Sequence, residues 1–296
     1  MKQKVSLVLS GGGARGIAHI GVIEEIEKQD LEIVSISGTS MGAMVGGAYA
    51  LGKIAEFKKW LYTLDKRKVF SLVDFTFGSQ GLVKGDKVFN TIKEFIDDDQ
   101  IEDLKIHYVA TATDIINRKE VVFNKGSVFD AIRASVAIPT VFTPVKTKEG
   151  LLVDGGVMNN IPVNHVKKTS DDLLIVVNVN ADIPILQHAL SRKEVEKKQS
   201  IYLHKIKEFR DHLHKTSPSD HKEKLGYINL IDKTISLMMH HMSQMSLKTY
   251  NPDILINISR KSCSTFDFFR AEELVEIGKI TAEKSFNQFK SDEIKD

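Results

Sequence analysis

Short apolar runs recur along the chain at strand length: Val5–Leu9, Ile33–Ile36, His107–Thr113, Glu120–Phe123, Leu151–Val153, Leu173–Val179 and Ile254–Ile258. Several are nearly continuous in Val, Ile and Leu, the composition of strands buried on both faces. Between them the apolar spacing becomes that of a helix. Ile17, Ile20 and Ile23 share one face, with Glu24 and Glu27 on the other. Met41–Leu51, Ile54–Leu64, Lys87–Ile96 and Val128–Val136 carry patterns that also suit helices. Strand and helix alternate, which predicts an α/β fold with a mostly parallel sheet covered on both sides.

Two apolar stretches imitate membrane signals. Lys2 and Lys4 precede Val5–Leu9, but an apolar run of five residues is too short for a secretory signal and reads as a buried strand. Residues 33–52 carry no charge over twenty positions, a membrane-span length, and Gly42 and Gly46 form a GxxxG pair. That stretch is rich in Ser and Gly, however, and its character changes at Gly38 from β-branched to small and helix-compatible. A strand followed by a helix is the better reading.

The pattern thins after Ala181. Residues 192–224 carry ten Lys or Arg against six Asp or Glu, with four His and few apolar positions. We read 182–226 as a charged, helical insertion within a single domain spanning 1–296. Residues 192–224 then offer either a solvated helix face, the reading favoured, or a contact for anionic lipid headgroups. From Tyr227 the core-like pattern resumes with a long helix to about Tyr250, a strand, and a last amphipathic helix around Ala271–Phe289.

Composition excludes more than it identifies. At 296 residues with 42% hydrophobic and 27% charged positions, the chain has the make-up of a globular protein with a sizeable core. Lys and Arg exceed Asp and Glu by 41 − 39 = 2, so no global field marks a nucleic-acid binder. The lone Cys263 closes no disulfide within the chain and removes a Cys-rich metal site. A cytoplasmic protein, peripheral at membranes at most, is expected.

Three short segments carry candidate chemistry. Ser10-Gly11-Gly12-Gly13-Ala14-Arg15-Gly16 follows the first strand and opens a helix. Gly11, Gly13 and Gly16 match the dinucleotide fingerprint, which also wants a carboxylate at the end of the second strand. None stands there, since Asp30 and Glu32 precede that strand. The same free N–H groups suit another anion, the oxyanion of a tetrahedral acyl intermediate. Arg15 either braces the loop or meets a lipid phosphate. Gly38-Thr39-Ser40-Met41-Gly42 matches G-x-S-x-G, a serine on a sharp strand-to-helix turn, or else a small-residue helix cap without chemistry. None of the ten histidines has the context of a catalytic base. Asp154 stands after an apolar strand and before Gly155 and Gly156, either as a base on a glycine turn or as an Asp-Gly hairpin turn.

In this order the three segments resemble the patatin-like phospholipases. Arg133-Ala134-Ser135-Val136-Ala137-Ile138-Pro139, Val141-Phe142-Thr143-Pro144 and Met158-Asn159-Asn160-Ile161-Pro162 resemble that family too, so that the likeness covers about residues 4–180. The resemblance implies a three-layer α/β/α fold and a Ser–Asp dyad in place of a triad. Ser40 is then the nucleophile, Asp154 its base, and the backbone of Gly11, Gly12 and Gly13 the oxyanion hole. Arg15, Gly16, Gly38, Gly42, Gly155 and Gly156 support the motifs. It implies a lipid ester substrate and transient contact with a membrane surface, with no metal, cofactor or nucleic acid. Two other classes remain in view at this point: a nucleotide-binding oxidoreductase using the glycine loop, and a catalytically silent membrane-surface protein of the same fold.

Two further features have double readings. Met238, Met239, Met242 and Met245 with Leu237 form plain core, the reading favoured, or an acyl channel. Phe75, Phe77 and Leu82, near Gly78 and Gly81, form a lid or a packed loop.

Overall fold

The computed structural model describes residues 2–72, 85–139, 141–185 and 227–293, with backbone alone at 227–229, 231–233, 235 and 293. The chain divides into two units, residues 1–184 with 235–296, and residues 185–234. The expected insertion at 182–226 and the basic stretch 192–224 fall almost entirely outside the described residues, as do Phe75, Phe77 and Leu82.

Eight strands form one sheet: β1 (Lys4–Leu9), β2 (Glu32–Thr39), β3 (His107–Asp114), β4 (Lys119–Phe123), β5 (Val145–Lys146), β6 (Leu151–Asp154), β7 (Leu173–Ala181) and β8 (Ile254–Ser259). Their order is β5-β6-β3-β2-β1-β7-β8, with β4 also paired to β3. The five central strands β3-β2-β1-β7-β8 run parallel, and β4, β5 and β6 pair antiparallel. The helices are α1 (Ala18–Lys28), α2 (Met41–Ala50), α3 (Ile54–Tyr62), α4 (Lys66–Ser71), α5 (Asp86–Lys93), α6 (Val128–Ser135), α7 (Tyr227–Tyr250) and α8 (Ala271–Glu293). The mixed, mostly parallel sheet flanked by helices is the α/β fold that the alternating pattern predicts.

Side chains leave β1 on alternate faces, and the two faces feed different cores. Val5, Leu7 and Leu9 join the main cluster with Ile17, Ile20 and Ile23, Met44 and Val45, and Leu274 and Val275. Val8 joins a second cluster with Ile161, Val163, Leu174 and Val176, against which Leu247 packs. The chargeless stretch 33–52 is β2 and α2, buried inside this protein core. Among the described residues no helix is long and apolar enough to cross a membrane.

Candidate active site

Ser40 sits between β2 and α2 with φ 55° and ψ −123°, in a region that non-glycine residues avoid. Holding it there costs on the order of 1–3 kcal/mol and needs a close fit around it. The fit is backbone against backbone. A Cβ on Gly38 would lie 2.6 Å from the amide nitrogen of Ala43, and one on Gly42 would collide with the carbonyl of Leu9. The N–H of Ser40 donates to Ser135 Oγ at 2.8 Å, and its carbonyl accepts the first helical bond from Met44 at 3.0 Å. Thr39 Oγ1 donates to the carbonyl of Asn159 at 2.8 Å and meets Thr111 Oγ1 at 2.7 Å.

Register on β3 brings the candidate carboxylate to this serine. β4 pairs along Ala110–Asp114 and occupies one edge of β3. β2 and β6 therefore share the other edge, where Thr39 lies opposite Thr111 and Asp154 opposite Ala112. The end of β2 and the end of β6 thus meet head to head, at adjacent positions of one strand. The Ser40 hydroxyl lies close enough to the Asp154 carboxyl to draw its pKa down. Asp154 Oδ1 accepts from the N–H of Gly156 at 2.8 Å, and its own N–H donates to Ala137 at 2.9 Å. Burial pushes the Asp154 carboxyl up from 3.8 to about 6, against the opposing pull of the Ser40 hydroxyl and the Gly156 N–H. Both side chains are nearly enclosed, Ser40 at 4% and Asp154 at 5% exposure.

The glycine loop approaches the same point. A Cβ on Gly11 would sit 3.1 Å from Ser40 Cβ. The three glycines differ in what their N–H groups do. Gly11 donates to the carbonyl of Asn160 at 3.1 Å, and Ala14 donates to Thr265 at 2.8 Å. Among the described residues no hydrogen bond engages the N–H of Gly12 or Gly13. Of the three expected oxyanion donors, Gly11 is therefore already committed, and Gly12 and Gly13 remain. Arg15 braces the loop: Nη2 donates to Asn180 Oδ1 at 3.0 Å and Nη1 to the carbonyl of Cys263 at 3.1 Å. Asn180 Nδ2 in turn donates to the carbonyl of Gly11 at 2.5 Å. Gly16 admits Met41, whose Cγ would lie 2.5 Å from a Cβ there, and Gly155 admits the backbone of Thr111.

No histidine among the described residues bonds to either member of the pair. His19 is fully buried beneath the loop, its Nε2 on the carbonyl of Ser10 at 2.8 Å, and burial lowers its pKa to about 4. His165 lies with Glu120 at 2.8 Å on the far side of Asn159. The Cys263 thiol is pushed up to about 11 by burial, so it holds its proton.

A cavity of about 430 Å³ opens from Ser40. Among the described residues its walls include Met44, Phe57, Leu61, Phe89, Ile92 and Phe142. Among the described residues, besides Ser40, only Gly13, Lys66 and Thr265 interrupt an apolar and aromatic lining. The methionine face of α7 takes no part in it. Met238 and Met245 are exposed, Met239 and Met242 half-buried, and Met239 Cε packs over Gly156. Leu237 is exposed as well, and none of the five side chains belongs to a buried cluster, so the core reading of that face does not hold. Sequence motifs had included Ser135 and Asn160 without a role for either. Both act through their backbone neighbours, which only the folded chain displays.

A serine at a strained strand-to-helix turn, a buried carboxylate beside it, and an apolar cavity place this α/β protein among the hydrolytic enzymes. The chain belongs to the patatin-like phospholipase family, whose model matches residues 7–167, more than half of its length. That membership makes it a lipid ester hydrolase by class. It is 30% identical to an uncharacterized NTE family protein of Mycobacterium tuberculosis over 98% of this chain and 93% of that one. It is 26% identical to lysophospholipase NTE1 of Meyerozyma guilliermondii over 98% of this chain, which spans 20% of that protein. VipD from Legionella pneumophila, a solved structure, aligns with a TM-score of 0.48 at 13% identity, over 97% of this chain and 67% of that one, a likeness too slight to argue from. The family match removes the oxidoreductase alternative.

Proposed function

We propose that this protein hydrolyses carboxylic esters of phospholipids or lysophospholipids through an acyl-enzyme on Ser40, with Asp154 as the base. The observation that carries the reading is the meeting of Ser40, on its strained turn, with a buried carboxyl whose pKa is raised to about 6. Such a carboxylate is mostly ionised near neutrality yet basic enough to take a proton.

Asp154 accepts the Ser40 proton as Oγ attacks the ester carbonyl carbon. The carbonyl oxygen takes up the charge, facing the N–H groups of Gly12 and Gly13. The intermediate collapses, the carbon–oxygen bond to the glycerol side breaks, and Asp154 returns the proton to that leaving oxygen. Water then gives a proton to Asp154 and attacks the acyl carbon. Ser40 leaves with that proton, and the fatty acid is released. The acyl chain occupies the cavity, whose apolar walls match a hydrocarbon and offer nothing to a sugar or peptide. The name of the yeast relative supports a single-chain lysophospholipid among the substrates.

The test is a graded series of acyl esters, with and without phosphate headgroups, combined with a fluorophosphonate probe. Labelling at Ser40 and turnover that rises with acyl length are expected. An unlabelled, inactive protein that still binds lipid would instead support the silent binding alternative.

A further inference from the structure

Two segments that are distant in sequence, α4 and the Thr265–Phe269 turn, both line the cavity. They are joined by Lys66, whose Nζ stands 4.9 Å over the ring of Phe269. Each contributes one lining ring that is also exposed: Phe70 at 68% and Phe266 at 52%. Large aromatics are costly to leave in water, and a contiguous apolar rim around a cavity marks a contact surface.

The charge beside that rim is net positive. Lys66, Arg67 and Lys68 are consecutive and exposed on α4. The one acid of the segment is Asp65, whose Oδ1 caps the helix by accepting from the N–H of Lys68 at 2.7 Å. The segment therefore carries 3 − 1 = +2. On the facing turn, Asp267 is paired with Arg270 at 3.8 Å. Exposed aromatics ringed by Lys and Arg are the complement of a lipid interface with anionic headgroups: rings enter the acyl boundary while cations stay at the phosphates.

We infer that α4 and the Thr265–Phe269 turn form the face by which this protein docks on an anionic bilayer, with Phe70 and Phe266 inserted and Arg67 and Lys68 on the headgroups. Docking there sets the mouth of the cavity against the membrane, so that an acyl chain passes to Ser40 without crossing water. The purpose assigned to the face rests on the lipid hydrolase reading; the binding itself does not.

The test uses the Ser40→Ala protein, which leaves vesicle lipid intact, and measures co-sedimentation with two vesicle types. One is pure phosphatidylcholine, the other contains one third phosphatidylglycerol. Arg67→Gln with Lys68→Gln should lower the partition coefficient on the anionic vesicles at low salt by roughly 30-fold, about fivefold per charge. It should change binding to the neutral vesicles little. Phe70→Ser and Phe266→Ser should each weaken binding to both types by about tenfold. In the Ser40 background, the double charge variant should turn over a soluble short-chain ester like the unmodified protein. Anionic vesicle binding that survives the charge substitutions would overturn the assignment and return membrane contact to another surface. A dimer that depends on Phe70, with no vesicle binding, would overturn it as well. Failure of Ser40 to react with a fluorophosphonate would defeat the catalytic reading alone, since docking is measured without turnover.

Discussion

At the scale of single residues, the chemistry reduces to how two side chains are held. In the proposed mechanism Asp154 must be ionised to take the Ser40 proton, so kcat/KM should fall on the acid side with an apparent pKa near 6, set by burial. Asp154→Asn should lower kcat by roughly 10²–10⁴. The same burial makes a stability prediction with a definite sign. The folded-state pKa lies above the ordinary value of 3.8. Neutral Asp154 therefore stabilises the fold at low pH, and that contribution is lost as pH rises through about 6. Asp154→Asn has no anion to bury and should become more stable than the unmodified protein above that pH, by on the order of 3 kcal/mol. Chemical denaturation across the range reads this directly, and a constant difference between the two proteins would contradict it. Ser135 is a second residue whose role is local. Ser135→Ala leaves the buried N–H of Ser40 without its acceptor, which should cost about 1–3 kcal/mol. Activity should fall with it, because that bond holds the strained serine in place.

At the scale of elements, the site depends on backbones that touch. Gly42→Ala would drive a methyl into the carbonyl of Leu9, at the contact between α2 and β1. Neither side is a flexible side chain, so the variant should fail to fold or lose several kcal/mol. Gly52→Ala is the matched comparison. Nothing lies within 4 Å of a Cβ there, and the only cost is the left-handed conformation at φ 70°, about 1 kcal/mol. Thermal melts of the pair separate close approach from conformational strain, and equal losses would mean that the α2–β1 contact yields. The elements were legible where burial writes a long pattern. Seven of the strands follow the apolar runs, several of them nearly continuous because strands covered on both faces, such as β1 and β7, have no polar side to interrupt them. β5 was missed because two residues carry no period. α4 was missed because its first three residues are all basic and its apolar ones too few to repeat. The loop, the serine turn and Asp154 were legible as motifs, but their meeting was not. It depends on β2 and β6 sharing one edge of β3, a register that no local pattern encodes. The commitment of the Gly11 N–H was hidden for the same reason, since its acceptor is 149 positions away at Asn160.

At the scale of the whole molecule, the cavity is the feature that would direct the proposed nucleophile, Ser40, to lipids. It is assembled from α2, α3, α4, α5, the segment after α6 and the 265–269 turn, so no single stretch of sequence announces it. Filling it should therefore change substrate choice without touching the dyad. Leu61→Trp adds bulk to its wall and should lower kcat/KM for long acyl esters much more than for short ones, at a stability cost of about 1–3 kcal/mol. Loss on both in equal measure would mean that the acyl chain lies elsewhere. The central claim, an acyl-enzyme on Ser40 with Asp154 as the only base, is tested most directly by intact-protein mass measurement during turnover. The protein is quenched in acid while hydrolysing a long-chain ester, then digested to locate the added mass. The account predicts an acyl group on the peptide bearing Ser40, absent in Ser40→Ala and formed far more slowly in Asp154→Asn, with every single histidine variant acylated normally. An acyl group on another residue, or a histidine variant as inert as Ser40→Ala with its fold intact, would contradict it.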